Sequence, residues 1–249
     1  MATSSIEWTD KTWNPITGCT KISDGCKHCY AEVMAKRLQG MGKPKYINGF
    51  SVTLHNDALN EPLQWSKPCM IFVCSMSDLF HRDVPFDFID KVFGVIRNTP
   101  QHNYQILTKR AERMADYFAT RTIPGNVWIG VTVENPKVKS RIDYIRNLKA
   151  SVRFISCEPL LDDLGELNLF GINWIIVGGE SGVQARPMKE EWVLNIKRQA
   201  DKNNIPFFFK QWGTWSVDGI KGNKKINGKL LEGEIVQNMP TRLCMQKRK

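Results

Sequence analysis

Residues 104–133, YQILTKRAERMADYFATRTIPGNVWIGVTV, set an apolar run (YQILT, 104–108) ahead of a helical stripe and a second apolar run (VWIGVTV, 127–133). In the stripe Ala111, Met114, Ala115 and Phe118 recur at i, i+3, i+4 and i+7, one face of a helix. Strand, helix and strand in immediate succession make the βα unit of a parallel sheet. The same rhythm continues in both directions. Upstream lie FSVTL (50–54) and MIFVCSM (70–76); downstream lie VRFIS (152–156), NWIIVGG (173–179) and PFFFK (206–210). Between them Ile89, Val92, Phe93 and Ile96 form one helical stripe, and Val138, Ile142 and Ile145 another. A short strand near residues 12–15 and a helix marked by Tyr30, Val33, Met34 and Leu38 complete the set.

Eight strands in βα alternation predict an α/β fold, a (β/α)8 or partly open TIM-like barrel. A doubly wound open sheet is the alternative, because periodicity does not decide closure. The rhythm stops after Gly213. Residues 1–213 are therefore expected to form the barrel, and 214–249 a basic, hairpin-like appendage with glycine turns.

The 249 residues are long enough for a full core, and 42% of them are hydrophobic. No apolar run reaches the roughly eighteen residues of a membrane span, and the N-terminus lacks a signal pattern. A cytoplasmic protein with no membrane partner is expected. The net charge is +10, with eight Lys/Arg against two Glu in residues 220–249 and 27 against 23 in the rest. That bias points to a phosphate-bearing partner, a nucleic acid or nucleotide; a solvated lysine-rich terminus is the plain alternative.

Seven cysteines without a secretion signal argue against a disulfide framework. Three of them, Cys19, Cys26 and Cys29, cluster in CTKISDGCKHCY (19–30) with C-x6-C-x2-C spacing. They suit zinc with a fourth ligand from His28, His55 or Cys157, or three irons of a [4Fe–4S] cluster whose fourth iron takes a non-protein ligand. The loop falls between the first strand and first helix of the predicted barrel, where a cluster would face the active mouth, and this favours iron and sulfur.

Strands of such a sheet run into the loops that carry function, and here every one ends in polar residues. Ser75, Ser77 and Asp78 are candidates to hydrogen-bond the hydroxyl or amino groups of a bound ligand. Lys109, Arg110 and Lys210 are candidates for anion contacts, with Gln211 and Trp212 beside them. Glu158, fixed at a strand end by Pro159, is a candidate general base or substrate ligand. Cys157 is a candidate hydrogen-atom donor, or a buried inert thiol. Glu180, after Gly178 and Gly179, suits an ammonium partner. Trp8, Trp13, Trp212 and Trp215 are candidates to stack a base or to pack the core.

The cysteine loop, together with SMSDLFH (75–81), QILTKR (105–110), WIGVTVEN (128–135), ISCEPLL (155–161), IIVGGESG (175–182) and FFFKQWG (207–213), resembles the phage-associated three-cysteine-motif family related to radical S-adenosylmethionine (SAM) enzymes. The resemblance runs from about Trp8 to Gly213. It implies a barrel with a [4Fe–4S] cluster on Cys19, Cys26 and Cys29 and SAM as cosubstrate. It also implies that His28 lies near the adenine, and that Glu134, at the end of an Ile129–Gly130 run, supports it. The usual C-x3-C-x2-C spacing is three residues shorter between its first two cysteines than the loop here.

The implied chemistry is reductive cleavage of SAM, fed by an external electron donor, to a 5′-deoxyadenosyl radical that takes hydrogen from an unactivated carbon. A nucleotide or nucleic-acid substrate is expected, with rearrangement of a modified thymidine in phage DNA as the leading case. Radical repair of a damaged base, a zinc-stabilised nucleic-acid-binding module without catalysis, and modification of a peptide or small molecule remain as alternatives.

Overall fold

The computed structural model describes Ser4 and residues 6–240. Seven strands form one sheet: β1 (Lys11–Trp13), β2 (Met70–Val73), β3 (Asn103–Thr108), β4 (Val127–Thr132), β5 (Val152–Cys157), β6 (Trp174–Gly178) and β7 (Phe207–Gln211). They lie in chain order and every neighbouring pair is parallel. A doubly wound sheet reverses its strand order part-way; this one does not. The sheet is the partly open form of the TIM-like barrel, since β1 and β7 are its two edges and do not pair with each other.

Helices α1 (Tyr30–Gly40), α2 (Phe86–Asn98), α3 (Ala111–Phe118), α4 (Arg141–Arg146) and α5 (Glu190–Lys202) fill all the connections except β5 to β6, where residues 158–173 cross without a helix. One of the eight expected strands, FSVTL (50–54), is not in the sheet. Of FSVTL only Thr53–Leu54 is extended, and it pairs antiparallel with Ile16–Thr17 in a two-residue ribbon beneath the cysteine loop. No described helix is long and apolar enough to cross a membrane.

Strand side chains alternate between two apolar layers. Ile71, Val73, Tyr104, Ile106, Ile129, Ile155 and Val177 share the larger core with Phe93, Ile96, Met114 and Val193 of the helices. Met70, Phe72, Trp128, Phe154, Trp174 and Phe208 turn the other way and enclose Trp8 on the inner face. The aromatic rings there meet edge to face, Trp8 with Phe72 at 4.8 Å and Trp128 with Trp174 at 5.8 Å between centroids. Gly130 belongs to this layer because the Phe154 ring covers it: a Cβ on residue 130 would fall 2.4 Å from ring atoms.

Helix α1 departs from its expected stripe. It buries the small Ala31 and Ala35, while Tyr30, Val33 and Met34 are exposed. Small residues let the helix lie close to Met76.

The appendage packs against the barrel. Leu230–Leu231 and Glu234–Ile235 form a short hairpin. The chain then runs antiparallel along the free edge of β7, with Phe209 N donating to Val236 O at 2.7 Å and Asn238 N to Phe207 O at 3.0 Å. This satisfies the edge that an open barrel leaves bare. Lys229 also pairs with Glu7 at 3.1 Å, tying this segment to the stretch ahead of β1. Residues 241–249, which hold the basic TRLCMQKRK stretch and Cys244, lie outside the described residues.

Candidate active site

Above the aromatic layer the inner face turns polar. Continuing the two-residue period, Thr132 and Glu134 leave β4, Ser156 and Glu158 leave β5, Gly178 ends β6 and Lys210 stands on β7. Lys210 Nζ and Glu158 Oε1 are 2.8 Å apart, and Ser156 Oγ donates to Glu158 Oε2 at 3.1 Å. Gly178 gives the pair its space: a Cβ there would sit 3.0 Å from Glu158 Oε1 and 3.5 Å from Lys210 Cβ. The structure thus brings Glu158 and Lys210 together as one ion pair inside the mouth.

The same period sends Cys157 outward. It is fully buried in the helix-side core, where burial, helped by the Glu158 and Glu134 carboxylates, pushes its thiol well up. It does not reach the mouth. Trp212 is buried too, with its ring 4.9 Å from Phe209 and its Nε1 donating to Leu230 O. It therefore packs the appendage and offers no face to a substrate, and Trp8 and Trp13 are likewise core residues. Gln211 donates to Ser181 Oγ at 3.1 Å at the rim.

The cysteine loop lies across this mouth. Gly18 enters it with φ +80°, so close to residue 51 that a Cβ would meet the Ser51 carbonyl oxygen at 2.2 Å; only glycine serves. The ends of four strands then hold the loop. From β3, Arg110 donates to Cys19 Sγ at 3.4 Å and to Thr20 O at 3.0 Å. After β2, buried His81 meets Thr20 Oγ1 at 2.7 Å; because its Nδ1 accepts from Asp83 N, its Nε2 is the donor. After β4, Glu134 accepts from Gly25 N at 3.3 Å and from Arg141 Nη1 at 2.8 Å, and Asn135 donates to Asp24 Oδ2. After β6, Arg186 donates to Asp24 O at 3.0 Å. Tyr30 closes the loop by donating to Ser75 O.

Several expected ligand-binding residues are engaged in this scaffold. The Asp78 carboxylate accepts from Thr108 Oγ1, Phe80 N, Lys109 N and Arg110 Nη1. Arg110 grips Asp78 and the cysteine loop, so it is not a free contact for a substrate anion. Ser75 donates to Asn14 Oδ1 and Ser77 to Ile16 O. Glu180, expected to meet an amine, instead takes a two-pronged contact from Arg186, 2.6 Å to Nη2 and 2.9 Å to Nε. Burial alone would raise the Glu180 carboxyl, but the Arg186 hydrogen bonds and charge, with His28 nearby, outweigh it and hold the carboxyl below its ordinary range. His28 is half-buried on the loop.

Cys19, Cys26 and Cys29 are partly exposed and none is in a disulfide. Burial pushes the Cys19 thiol up to about 11, with Asp78 adding to the rise and Arg110 opposing it. Among the described residues no three His, Cys, Asp or Glu side chains are gathered closely enough to hold a metal ion as they stand. In kind, however, the donor set fits a cluster. It offers three soft thiols on one loop; His55 is held by Thr17 at 2.8 Å and Cys157 is in the core, which leaves His28 on the same loop as the one fourth zinc ligand of those expected.

The family described as "Protein of unknown function (DUF5131)" matches residues 3–240. The chain belongs to that family. Its description names no activity and no phage association. No curated protein matches the chain. Among solved structures, spore photoproduct lyase complexed with dinucleoside spore photoproduct superposes with a TM-score of 0.48 at 10% identity, covering 81% of this chain and 63% of that one. A cysteine-to-serine mutant of the lyase gives 0.48 at 11%, covering 72% and 59%. This chain spans less than two thirds of either lyase chain.

Arg186, Asp24, Asn14 and His81 stand in the site without having been singled out from the sequence. His81 closes the SMSDLFH motif and Arg186 follows Glu180 by six residues, so both were within reach of a search for charge partners near the motifs.

Proposed function

We propose that this protein is a cytoplasmic radical SAM enzyme that abstracts hydrogen from a nucleotide or nucleic-acid substrate. The observation that carries the reading is the placement of the cysteine loop, which lies over the polar mouth of a TIM-like half-barrel and is anchored there from four strand ends. Cys19, Cys26 and Cys29 would hold the [4Fe–4S] cluster. Bound with SAM and reduced by an external donor, that group supplies a 5′-deoxyadenosyl radical.

The chain's own residues do the positioning. Glu134, Arg110 and Arg186 fix the loop by hydrogen bonds to Gly25, Thr20 and Asp24. The aromatic layer closes the floor against water, which a reactive radical requires. Glu158 and Lys210, backed by Ser156, present one negative and one positive group to a substrate entering the mouth. The net charge of +10 suits a phosphate-bearing substrate, and a modified thymidine of phage DNA is the first to try. Repair with Cys157 as hydrogen donor is not favoured, because Cys157 faces the opposite core.

The test is anaerobic reconstitution with iron and sulfide, followed by SAM and dithionite. About four irons per chain and release of 5′-deoxyadenosine by the wild type, both lost in Cys26→Ala, are expected. Stoichiometric zinc with no iron would overturn the proposal.

A further inference from the structure

We propose that Arg110 is a positioning residue that raises the reduction potential of the cluster on Cys19, Cys26 and Cys29 by acting through Cys19; the inference rests on the radical-enzyme reading above. Both terminal nitrogens of the guanidinium are engaged. Nη1 donates to Cys19 Sγ at 3.4 Å and to Asp78 Oδ2 at 3.0 Å, and Nη2 donates to Thr20 O at 3.0 Å and Thr20 Oγ1 at 3.1 Å. Asp78 cannot follow a moving arginine, because Thr108 Oγ1 holds it at 2.7 Å and the backbone N–H groups of Phe80 and Lys109 complete its shell. The side chain of Arg110 is only 11% exposed, so its field on the sulfur is weakly screened.

A donor fixed on a ligand thiolate is one of the protein's levers on a cluster's potential. Asp78 neutralises much of the arginine's charge at a distance, so the effect on Cys19 comes chiefly from the N–H directed at the sulfur. The reduced cluster carries one more negative charge than the oxidised one, and the sulfur then accepts more strongly. Arg110 thus stabilises the reduced state over the oxidised state. This is a different role from the substrate-anion contact expected from the QILTKR motif, because both terminal nitrogens already face acceptors of the protein.

The experiment is an anaerobic redox titration, followed by electron paramagnetic resonance, of reconstituted wild type, Arg110→Gln and Arg110→Lys, with iron counted in each. At a fixed potential, Arg110→Gln is expected to lower the ratio of reduced to oxidised cluster about tenfold, ~59 mV for a one-electron couple. Arg110→Lys, which keeps the charge but not the fork, should fall between the two. Variants that load iron and titrate with the wild-type midpoint would overturn the inference alone. Loss of loading in both variants, or reduced loading with an unmoved midpoint in the loaded fraction, would make Arg110 a structural anchor only and overturn it too. Wild-type protein that takes up no iron would instead overturn the cluster reading on which the inference stands.

Discussion

The two ends of the inner face of the sheet are made of opposite materials. At the N-terminal end Trp8, Phe72, Trp128, Phe154, Trp174 and Phe208 interlock with almost no charge among them. At the C-terminal end, two to six residues further along the chain on the same face, the positions are Thr132, Glu134, Ser156, Glu158 and Lys210. One set of strands serves both because the strand period is two: each step along the inner face changes the height in the barrel without changing the side. The difference teaches that folding stability and chemistry are separated along the strands. Substitutions at the aromatic end are therefore expected to unfold the protein, and those inside the mouth to disable it while it stays folded.

The sharpest way to break this division is Trp174→Ala. Trp174 is fully buried, touches the rings of Trp8, Trp128, Phe154 and Phe208, and donates from Nε1 to Asn238 O in the appendage. Truncation leaves a large cavity and a lost tie to the C-terminal segment, a cost of about 3–5 kcal/mol. Equilibrium urea denaturation measures it. A loss below about 1 kcal/mol would mean that the aromatic layer is not what holds the half-barrel together.

A smaller effect on stability, and a larger one on chemistry, is expected at the mouth. Lys210→Met removes the partner of Glu158, but both side chains of the pair are partly open to solvent. The change in unfolding free energy should stay near 1 kcal/mol or less, while product formation from a bound nucleic-acid substrate falls about tenfold or more. Ordinary turnover in a fully folded Lys210→Met variant would remove the ion pair from the mechanism and leave the mouth with the cysteine loop alone.

How much of this was legible beforehand follows the range of each interaction. The parallel sheet was readable because alternation of apolar runs and helical stripes is a local property, and six of the runs became β2 to β7. FSVTL was misplaced in the sheet because β-propensity tells that a segment is extended and not which partner it takes; its partner is Ile16–Thr17. The polar mouth was readable because parallel strands all end on one side. The outward direction of Cys157 was readable too, had the two-residue period been carried from Phe154 through Ser156 to Glu158. What no local pattern contains is the partner of Arg110: Cys19 lies 91 residues away in sequence, and only the adjacency of the β3 end to the cysteine loop joins them.

The smallest effect expected is one of slope with pH, and it again separates the two ends. Glu180 is held below its ordinary value of 4.5 by Arg186, against the rise that burial would cause. A carboxyl depressed by folding contributes stability that is fully present above its unfolded value and is lost as the pH falls through its folded value. The stability of the wild type over Glu180→Gln should therefore be constant at neutral pH and shrink once the pH drops below about 4.5. Other carboxyls held low by partners, such as Asp90 beside Arg121 and Asp163 beside Gly165 and Asn195, are common to both proteins and cancel in the difference. Trp174→Ala offers the contrast, because the rings it disturbs carry no carboxyl or imidazole. Its deficit against the wild type should keep the same value across that window, while the deficit of Glu180→Gln closes. Urea midpoints of the three proteins between neutral pH and the acid limb decide the matter. A Glu180→Gln deficit that does not close on acidification would show that the Arg186 contact is not what stabilises the folded mouth.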